Sequence, residues 1–225
     1  MASYQVTLQN QTTTVWTLVV FIKIPDATGM LSVAWKLTPP VAGSGSNDTS
    51  WTDTPAVALG TLSNSSGSRV YKQNVARAAA VDQAWTVTKT STVLDLTLTG
   101  SSLTPGQIEI TNASGQLTNV ALGYDNTAAV YAPNLPSGLA AGFIPLPQYW
   151  VTVAQSMQAG QVIANASSNA NNLTASQQND LNALIAGQFA PPQQLKFPTN
   201  QNAATVTISL DGDLFSMTIA YGPIV

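Results

Sequence analysis

Short segments in which apolar and polar residues alternate recur along most of this 225-residue chain. Alternation with a period of two is typical of a β-strand with one buried face, and Gly, Pro, Asn and Ser residues between the segments indicate turns. The predicted strands cover residues 4–10, 15–24, 31–37, 56–62, 69–76, 83–89, 93–99, 107–111, 120–124, 128–131, 149–154, 161–165, 203–210 and 214–221. So many short strands predict an all-β protein, specifically an antiparallel β-sandwich.

Two segments depart from simple alternation. Residues 15–24 (VWTLVVFIKI) are almost continuously apolar, which predicts a central strand covered on both faces. Thr174 and Gln177 have the spacing of a helix-capping box, and apolar residues follow at helical intervals, so one short helix is predicted near 174–186. It lies in a less regular segment rich in Asn, Gln and Ala, at about 166–202. With no solenoid repeat visible, residues 1–225 are predicted to form a single domain.

The chain contains neither histidine nor cysteine. These residues supply most proton shuttles, nucleophiles and transition-metal ligands in enzymes. Glycosidase chemistry needs two carboxylates across the scissile bond, yet the sole glutamate, Glu109, lies within a predicted strand. We therefore predict a protein that is not an enzyme and that binds no metal or cofactor.

Charge is sparse, with seven Lys or Arg against ten Asp or Glu and a net charge of −3. So few cations neutralise few phosphates, which argues against nucleic-acid binding. No segment is apolar for long enough to cross a membrane as a helix. A surface with little charge opposes contact between identical copies only weakly, so self-association is favoured, although an ordinary low-charge β domain has the same composition.

This composition is also typical of secreted, self-associating proteins. The leading hypothesis is accordingly a structural subunit of an extracellular filament or matrix. No Sec-type signal peptide is visible at the N-terminus. We expect an extracellular or cell-surface location, with a cytoplasmic one left open.

The first predicted strand is the candidate for a contact between subunits. Tyr4, Val6 and Leu8 alternate with polar residues and would fill successive pockets if this strand were donated to the sheet of a neighbouring copy. The alternative is that residues 4–10 pair within their own sheet, in a hairpin with residues 15–24. Both interpretations remain open at this point.

A second candidate site lies in the polar segment 43–55, which is predicted to be a loop. Trp51 is flanked there by Asp48 and Asp53. Aromatic faces stack on sugar rings and carboxylates bind hydroxyl groups, so an exposed Trp51 would suit glycan binding. The other tryptophans lie in apolar strands, where a core position is expected. A secreted lectin or adhesin is therefore the alternative function.

Asn-x-Ser/Thr tripeptides occur in several places, as expected in a chain rich in these residues. They begin at Asn10, Asn47, Asn64, Asn112, Asn165 and Asn172. Such tripeptides accept glycans only in a eukaryotic secretory host.

Five further segments, in their order and spacing, resemble the bacterial rhizosphere-induced protein (RhiA-like) family. They are residues 31–35 (LSVAW), 106–110 (GQIEI), 120–123 (VALG), 130–134 (VYAPN) and 145–150 (PLPQYW). The resemblance implies a soluble all-β bacterial protein produced in a community or plant-associated setting under cell-density control. It implies no catalytic activity and no site residues.

Overall fold

The computed structural model describes residues 2–24, 29–65, 68–163, 190, 192–211 and 214–224. Within these ranges the chain forms strands and no helix. In chain order, β1 to β18 span Ser3–Asn10, Thr17–Lys23, Leu31–Val33, Lys36–Leu37, Ser46–Thr52, Pro55–Ser65, Ser68–Ala78, Gln83–Thr90, Val93–Ser101, Ile108–Asn112, Thr118–Tyr124, Thr127–Leu135, Ala140–Phe143, Gln148–Ala154, Val162–Ile163, Gln193–Gln194, Ala203–Asp211 and Leu214–Gly222. The helix predicted at 174–186, like most of the segment 166–202, lies outside the described residues.

The strands form four sheets. Sheet 1 has the order β18-β17-β1-β5, sheet 2 β9-β8-β10-β13, sheet 3 β16-β14-β2-β4 and sheet 4 β7-β6-β11-β12-β3-β15. The all-β, sandwich-like prediction is confirmed. Its antiparallel character needs one correction, because β1 pairs with β17, and β10 with β8, in parallel.

A single buried cluster draws apolar side chains from all four sheets. Strand β2 shows how the alternation works: Leu18, Val20 and Ile22 enter this cluster, whereas Val19 and Phe21 pack into a separate cluster on the opposite face. The prediction that this segment is covered on both faces is confirmed. Burying a side chain of this size contributes about 1.5–3 kcal/mol, which makes β2 a major source of stability.

The expected hairpin between the first two strands is wrong. β1 lies in sheet 1, between β17 and β5, whereas β2 lies in sheet 3, between β14 and β4. The predicted strand 31–37 is divided into β3 and β4, which join different sheets. The polar segment 43–55, expected to be a loop, contains β5.

The sheets are related in pairs by an internal repeat. Strands β1 to β9 and β10 to β18 form two halves in which β1 corresponds to β10, β2 to β11, β5 to β13, β6 to β14, β8 to β17 and β9 to β18. Sheet 1 then repeats sheet 2, and sheet 3 repeats the first four strands of sheet 4, with the same order and the same parallel pairs. Every sheet contains strands of both halves, so the halves have exchanged strands with each other.

The hydrogen bonds of two buried asparagines repeat in the same way. Asn10 ends β1 with its side chain fully buried. Its Nδ2 donates to the carbonyl oxygens of Thr14 (2.7 Å) and Val41 (2.9 Å). Its Oδ1 accepts from the backbone N–H and the hydroxyl of Thr12, at 2.9 and 2.8 Å. The amide thus uses all its hydrogen-bonding capacity: three bonds close the loop at residues 10–14, and the fourth attaches that loop to Val41.

Asn112 makes the same four bonds at the end of β10. Its Nδ2 donates to the carbonyl oxygens of Gln116 and Leu135, both at 2.7 Å. Its Oδ1 accepts from the backbone N–H (3.0 Å) and the hydroxyl (2.7 Å) of Ser114. The repeat therefore extends from the order of strands to single hydrogen bonds.

No helix in the described part of the chain is long and apolar enough to span a bilayer.

Candidate functional site: the open sheet edges

Trp51, the predicted glycan contact, is a core residue. Its side chain is only 2 % exposed. The ring stacks on Tyr4 at 5.7 Å between centroids and meets the edge of Trp35 at 5.4 Å. The expected exposure of Trp51 is wrong because β1 pairs with β5 and places Trp51 directly opposite Tyr4. It offers no free face for a sugar to stack on.

The two flanking carboxylates lie in different surroundings. Asp48 is exposed and accepts a hydrogen bond from Gln5 Nε2 at 2.9 Å. Asp53 is half-buried and accepts one from the hydroxyl of Tyr149 at 2.5 Å. Asp53 and Trp51 thus lie in one aromatic cluster with Tyr4, Trp35, Tyr124 and Tyr149, and Asp48 lies outside it.

This aromatic cluster holds its phenols in the neutral form. Burial raises the pKa of Tyr149, and the hydrogen bond to Asp53 raises it further. Burial also raises the pKa of Tyr124 and of Tyr4, with the negative charge of Asp53 as the second cause. Neutral phenols donate hydrogen bonds and are poor nucleophiles. The cluster therefore fastens β1, β11 and β14 to the segment after β5.

A separate open groove of about 420 Å³ lies beside β7. Its lining includes Ser63, Lys72 and Gln158, together with Trp35 and Tyr71. These two aromatic residues are 2 % and 3 % exposed, so the groove presents almost no aromatic face. Hydroxyl, amide and ammonium groups bind polar ligands in general and identify no ligand class here.

The candidate donor strand is an interior strand of its own sheet. Val6 and Leu8 are fully buried and Tyr4 is half-buried. β1 pairs with β17 on one side and β5 on the other, so its backbone has no open side within the chain. Sequence reasoning missed the outer strands β18 and β9, each of which pairs with only one other strand in the described part of the chain. Only the order of strands in the sheets reveals them.

Alternate residues of β18 turn their backbone N–H and C=O groups away from β17. The carbonyl of Ile208 accepts from Gln11 N–H, so the polar groups of Ile208 face β1 rather than β18. Met217, opposite Ile208, therefore turns its N–H and C=O away from β17. Gln193 Nε2 donates to this carbonyl at 2.9 Å. No described strand pairs with this outer side of β18.

Side chains on β18 alternate between the core and solvent. Phe215, Met217, Ile219 and Tyr221 pack against the main cluster. Ser216, Thr218 and Ala220 are exposed. The strand LFSMTIAYG contains no charged residue and no proline.

β9 occupies the equivalent edge and differs from β18 in charge. The carbonyl of Val87 accepts from Ala113 N–H, so Leu96, opposite Val87, turns its polar groups outward as Met217 does. Asp95 Oδ1 accepts the outward N–H of Leu96 at 2.8 Å and also Arg77 Nη2 at 3.0 Å. The edge of β9 is therefore closed at its centre by an ion pair.

In the described part of the chain, no group of three or more Asp or Glu side chains is arranged to hold a metal ion. The chemistry available to these edges is backbone hydrogen bonding, reinforced by apolar contact.

Comparison with known proteins identifies a family. A family model described as RhiA matches residues 1–186. The chain belongs to the RhiA family. The match confirms the resemblance seen in five segments of the sequence and covers residues on both sides of them. No curated protein and no solved structure shows a significant match to this RhiA-family protein. Strands β16 to β18 follow the matched residues.

Proposed function

We propose that this RhiA-family protein is a non-enzymatic structural subunit that assembles with copies of itself outside the cell, as part of a filament or matrix. The favoured contact is the outer side of β18, where a second copy adds its own β18 in antiparallel orientation. Main-chain hydrogen bonds supply the affinity in such β-augmentation. Sheet 1 of one copy then continues into sheet 1 of its partner, and this dimer is the unit of assembly.

The observation that carries this proposal is that, among the described residues, no charge, proline or bulge guards the outer side of β18. Edge strands are usually guarded by Lys residues, prolines, bulges or short length, because an unpaired edge is a template for another strand. β18 is nine residues long and contains no charge and no proline. Its register with β17 runs without a bulge from Ala203–Gly222 to Asp211–Leu214.

The composition of the chain supports the same contact. Only 8 % of residues are charged and the net charge is −3. Charged residues are depleted at the centres of protein interfaces, and weak net charge gives weak repulsion between copies. The absence of cysteine leaves no thiol to be oxidised outside the cell.

The structure gives less support to the two other mechanisms. Donation of β1 requires its release from two neighbouring strands and the exposure of Val6 and Leu8. Glycan binding at Trp51 requires an aromatic face that is buried against Tyr4 and Trp35. An open β18 edge needs neither change.

The test compares one substitution at two equivalent positions. Thr218 on β18 lies opposite Thr207 on β17. The equivalent pair in the other sheet is Thr97 on β9 and Thr86 on β8. In a β18–β18 pair centred on Thr218, Thr218→Lys brings two ammonium groups together, and like charges on adjacent strands destabilise pairing. We expect the wild type to sediment as dimers or larger species, and Thr218→Lys to raise the dissociation constant at least about tenfold.

Thr97→Lys is the matched control and should leave the association of the wild type unchanged. Analytical ultracentrifugation over a wide range of concentration supplies the masses, and circular dichroism verifies that both variants are folded. A wild type that stays monomeric throughout would refute assembly. Equal loss of association in both variants would refute the choice of β18.

A further inference from the structure

We infer that β9 is a second, latent assembly edge, which Asp95 and Arg77 keep closed. The protein then forms dimers through β18 and extended chains of copies only when this ionic cap is removed. The inference rests on the proposed function and adds a means of regulation to it. Its partner is a further copy of the same chain, which pairs through its own β9.

The first argument is that β9 has the same place in the fold as β18. In sheet 2 the β8–β9 hairpin flanks β10, as the β17–β18 hairpin flanks β1 in sheet 1. Val87 and Leu96 pair as Ile208 and Met217 do. Whatever strand geometry lets β18 accept a neighbour is therefore also present at β9.

The second argument is that equivalent positions at the two edges carry different residues. In the equivalent registers Asp95 of β9, opposite Thr88, corresponds to Ser216 of β18, opposite Ser209. Sheets 3 and 4 give a second correspondence. Arg77 on β7 lies opposite Val57, as Gln193 on β16 lies opposite Val151, so Arg77 corresponds to Gln193. An ion pair at one edge thus replaces a serine and a glutamine at the other.

The third argument is what the cap occupies. Asp95 takes up the outward N–H of Leu96, which an incoming strand needs as a donor. A second copy approaching with its own β9 would bring another carboxylate to the same place, and the two negative charges would repel. At β18 the side chain of Gln193 binds a carbonyl and adds no charge.

The fourth argument is the apolar surface that β9 retains. Val93 is 65 % exposed and Leu98 is 48 % exposed. Beside a second copy the same side chains would be buried.

The internal repeat explains how the two edges produce an extended assembly. A β18–β18 contact is related by a two-fold axis and closes after two copies. A β9–β9 contact between such dimers leaves a β9 edge unused at each end, so growth continues. The Arg77 and Asp95 side chains are 48 % and 51 % exposed, so salt screens their attraction and the cap is accessible to regulation.

The experiment transplants the cap in both directions. Asp95→Ser copies Ser216 onto β9 and should convert dimers into species with at least twice the mean mass of the wild type at equal concentration. Arg77→Gln copies Gln193 and serves as the second variant, with a smaller increase expected because Asp95 still occupies the N–H. Sedimentation velocity measures mass, and negative-stain microscopy shows whether the larger species are linear.

The reverse transplant, Ser216→Asp with Gln193→Arg, should close β18 and leave monomers. Adding Thr97→Lys to Asp95→Ser should return the assembly to dimers, because it blocks β9 again. Dimers in the wild type that stay dimers in Asp95→Ser and Arg77→Gln would overturn the latent edge and leave the proposed function intact. Monomers in all variants would overturn both. Larger species that persist with Thr97→Lys would show growth through another surface and would also overturn the inference.

Discussion

The two asparagine-centred loops are built alike, whereas the outer strands of the two equivalent sheets differ in charge. Asn10 and Asn112 make the same four hydrogen bonds within the chain, and both are fully buried. In contrast, the equivalent positions Asp95 and Ser216 give the edge of β9 a negative charge and the edge of β18 none. Positions that close the backbone of the fold are constrained by the cost of an unpaired buried group, and exposed edge positions are not.

The largest expected effect concerns the two loops. Asn10→Ala and Asn112→Ala each remove a donor from two backbone carbonyls and the acceptor of a buried backbone N–H, and should lower the free energy of unfolding by about 2–4 kcal/mol. If the two loops contribute equally to stability, the two losses of unfolding free energy should agree within about 1 kcal/mol. Urea unfolding followed by tryptophan fluorescence measures both values.

Asn64→Ala is the control for this comparison, since Asn64 is exposed and begins another Asn-x-Ser tripeptide. A surface change of this kind should stay within about 0.5 kcal/mol of the wild type. A loss at Asn64 as large as at Asn10 would show that burial is not the cause. A large loss at only one of the two buried asparagines would break the equivalence of the loops.

The next effect concerns phenols that only the second half carries. Tyr124 corresponds to Ile22, and Tyr149 to Pro55, because Ile22–Tyr149 and Tyr124–Pro55 are equivalent cross-strand pairs. Burial raises the pKa of both tyrosines above the ordinary 10.0. Stability should be complete below pH 10 and fall above it, because the unfolded chain releases these protons while the folded chain keeps them.

The loss should be up to about 1.4 kcal/mol per pH unit for each such tyrosine. Urea midpoints at pH 9, 10 and 11 provide the test. The double variant Tyr124→Phe, Tyr149→Phe should show a shallower decline above pH 10. An equally steep decline would place the titrating groups elsewhere.

The smallest effect separates these two tyrosines. Tyr149 donates to Asp53, so Tyr149→Phe should cost roughly 1.5 kcal/mol. The hydroxyl of Tyr124 is buried with no hydrogen-bond partner in the described part of the chain, so Tyr124→Phe should cost nothing or stabilise slightly. Thermal unfolding of the two variants side by side provides the comparison. A greater loss at Tyr124 would reveal a partner for its hydroxyl.

Much of the local structure was predictable because strand alternation is a local property. The segments around β6 to β12, β17 and β18 and the two-faced burial of β2 follow from which residues are apolar. The candidate sites were less predictable. Trp51 lies among polar residues, and its burial depends on β1 as a partner, more than forty residues away along the chain.

The internal repeat was hidden for a related reason. Equivalent positions such as Val6 and Ile108, or Leu18 and Val120, share burial rather than identity. The asparagines that close the two loops are identical, as are Thr97 and Thr218, but in the sequence they resemble many other Asn-x-Ser/Thr tripeptides and many other threonines. A few matching residues among many similar ones do not define a period.

By itself, the sequence determined that the chain forms short strands, which face of each is apolar, and that reactive and charged groups are scarce. The tertiary structure decided which strands pair, which pairs are parallel, and which two strands are left at the edges. The physical reason is that every backbone presents the same donors and acceptors, so hydrogen bonding alone does not select a partner. Side chains from distant segments select it when they pack together in one core.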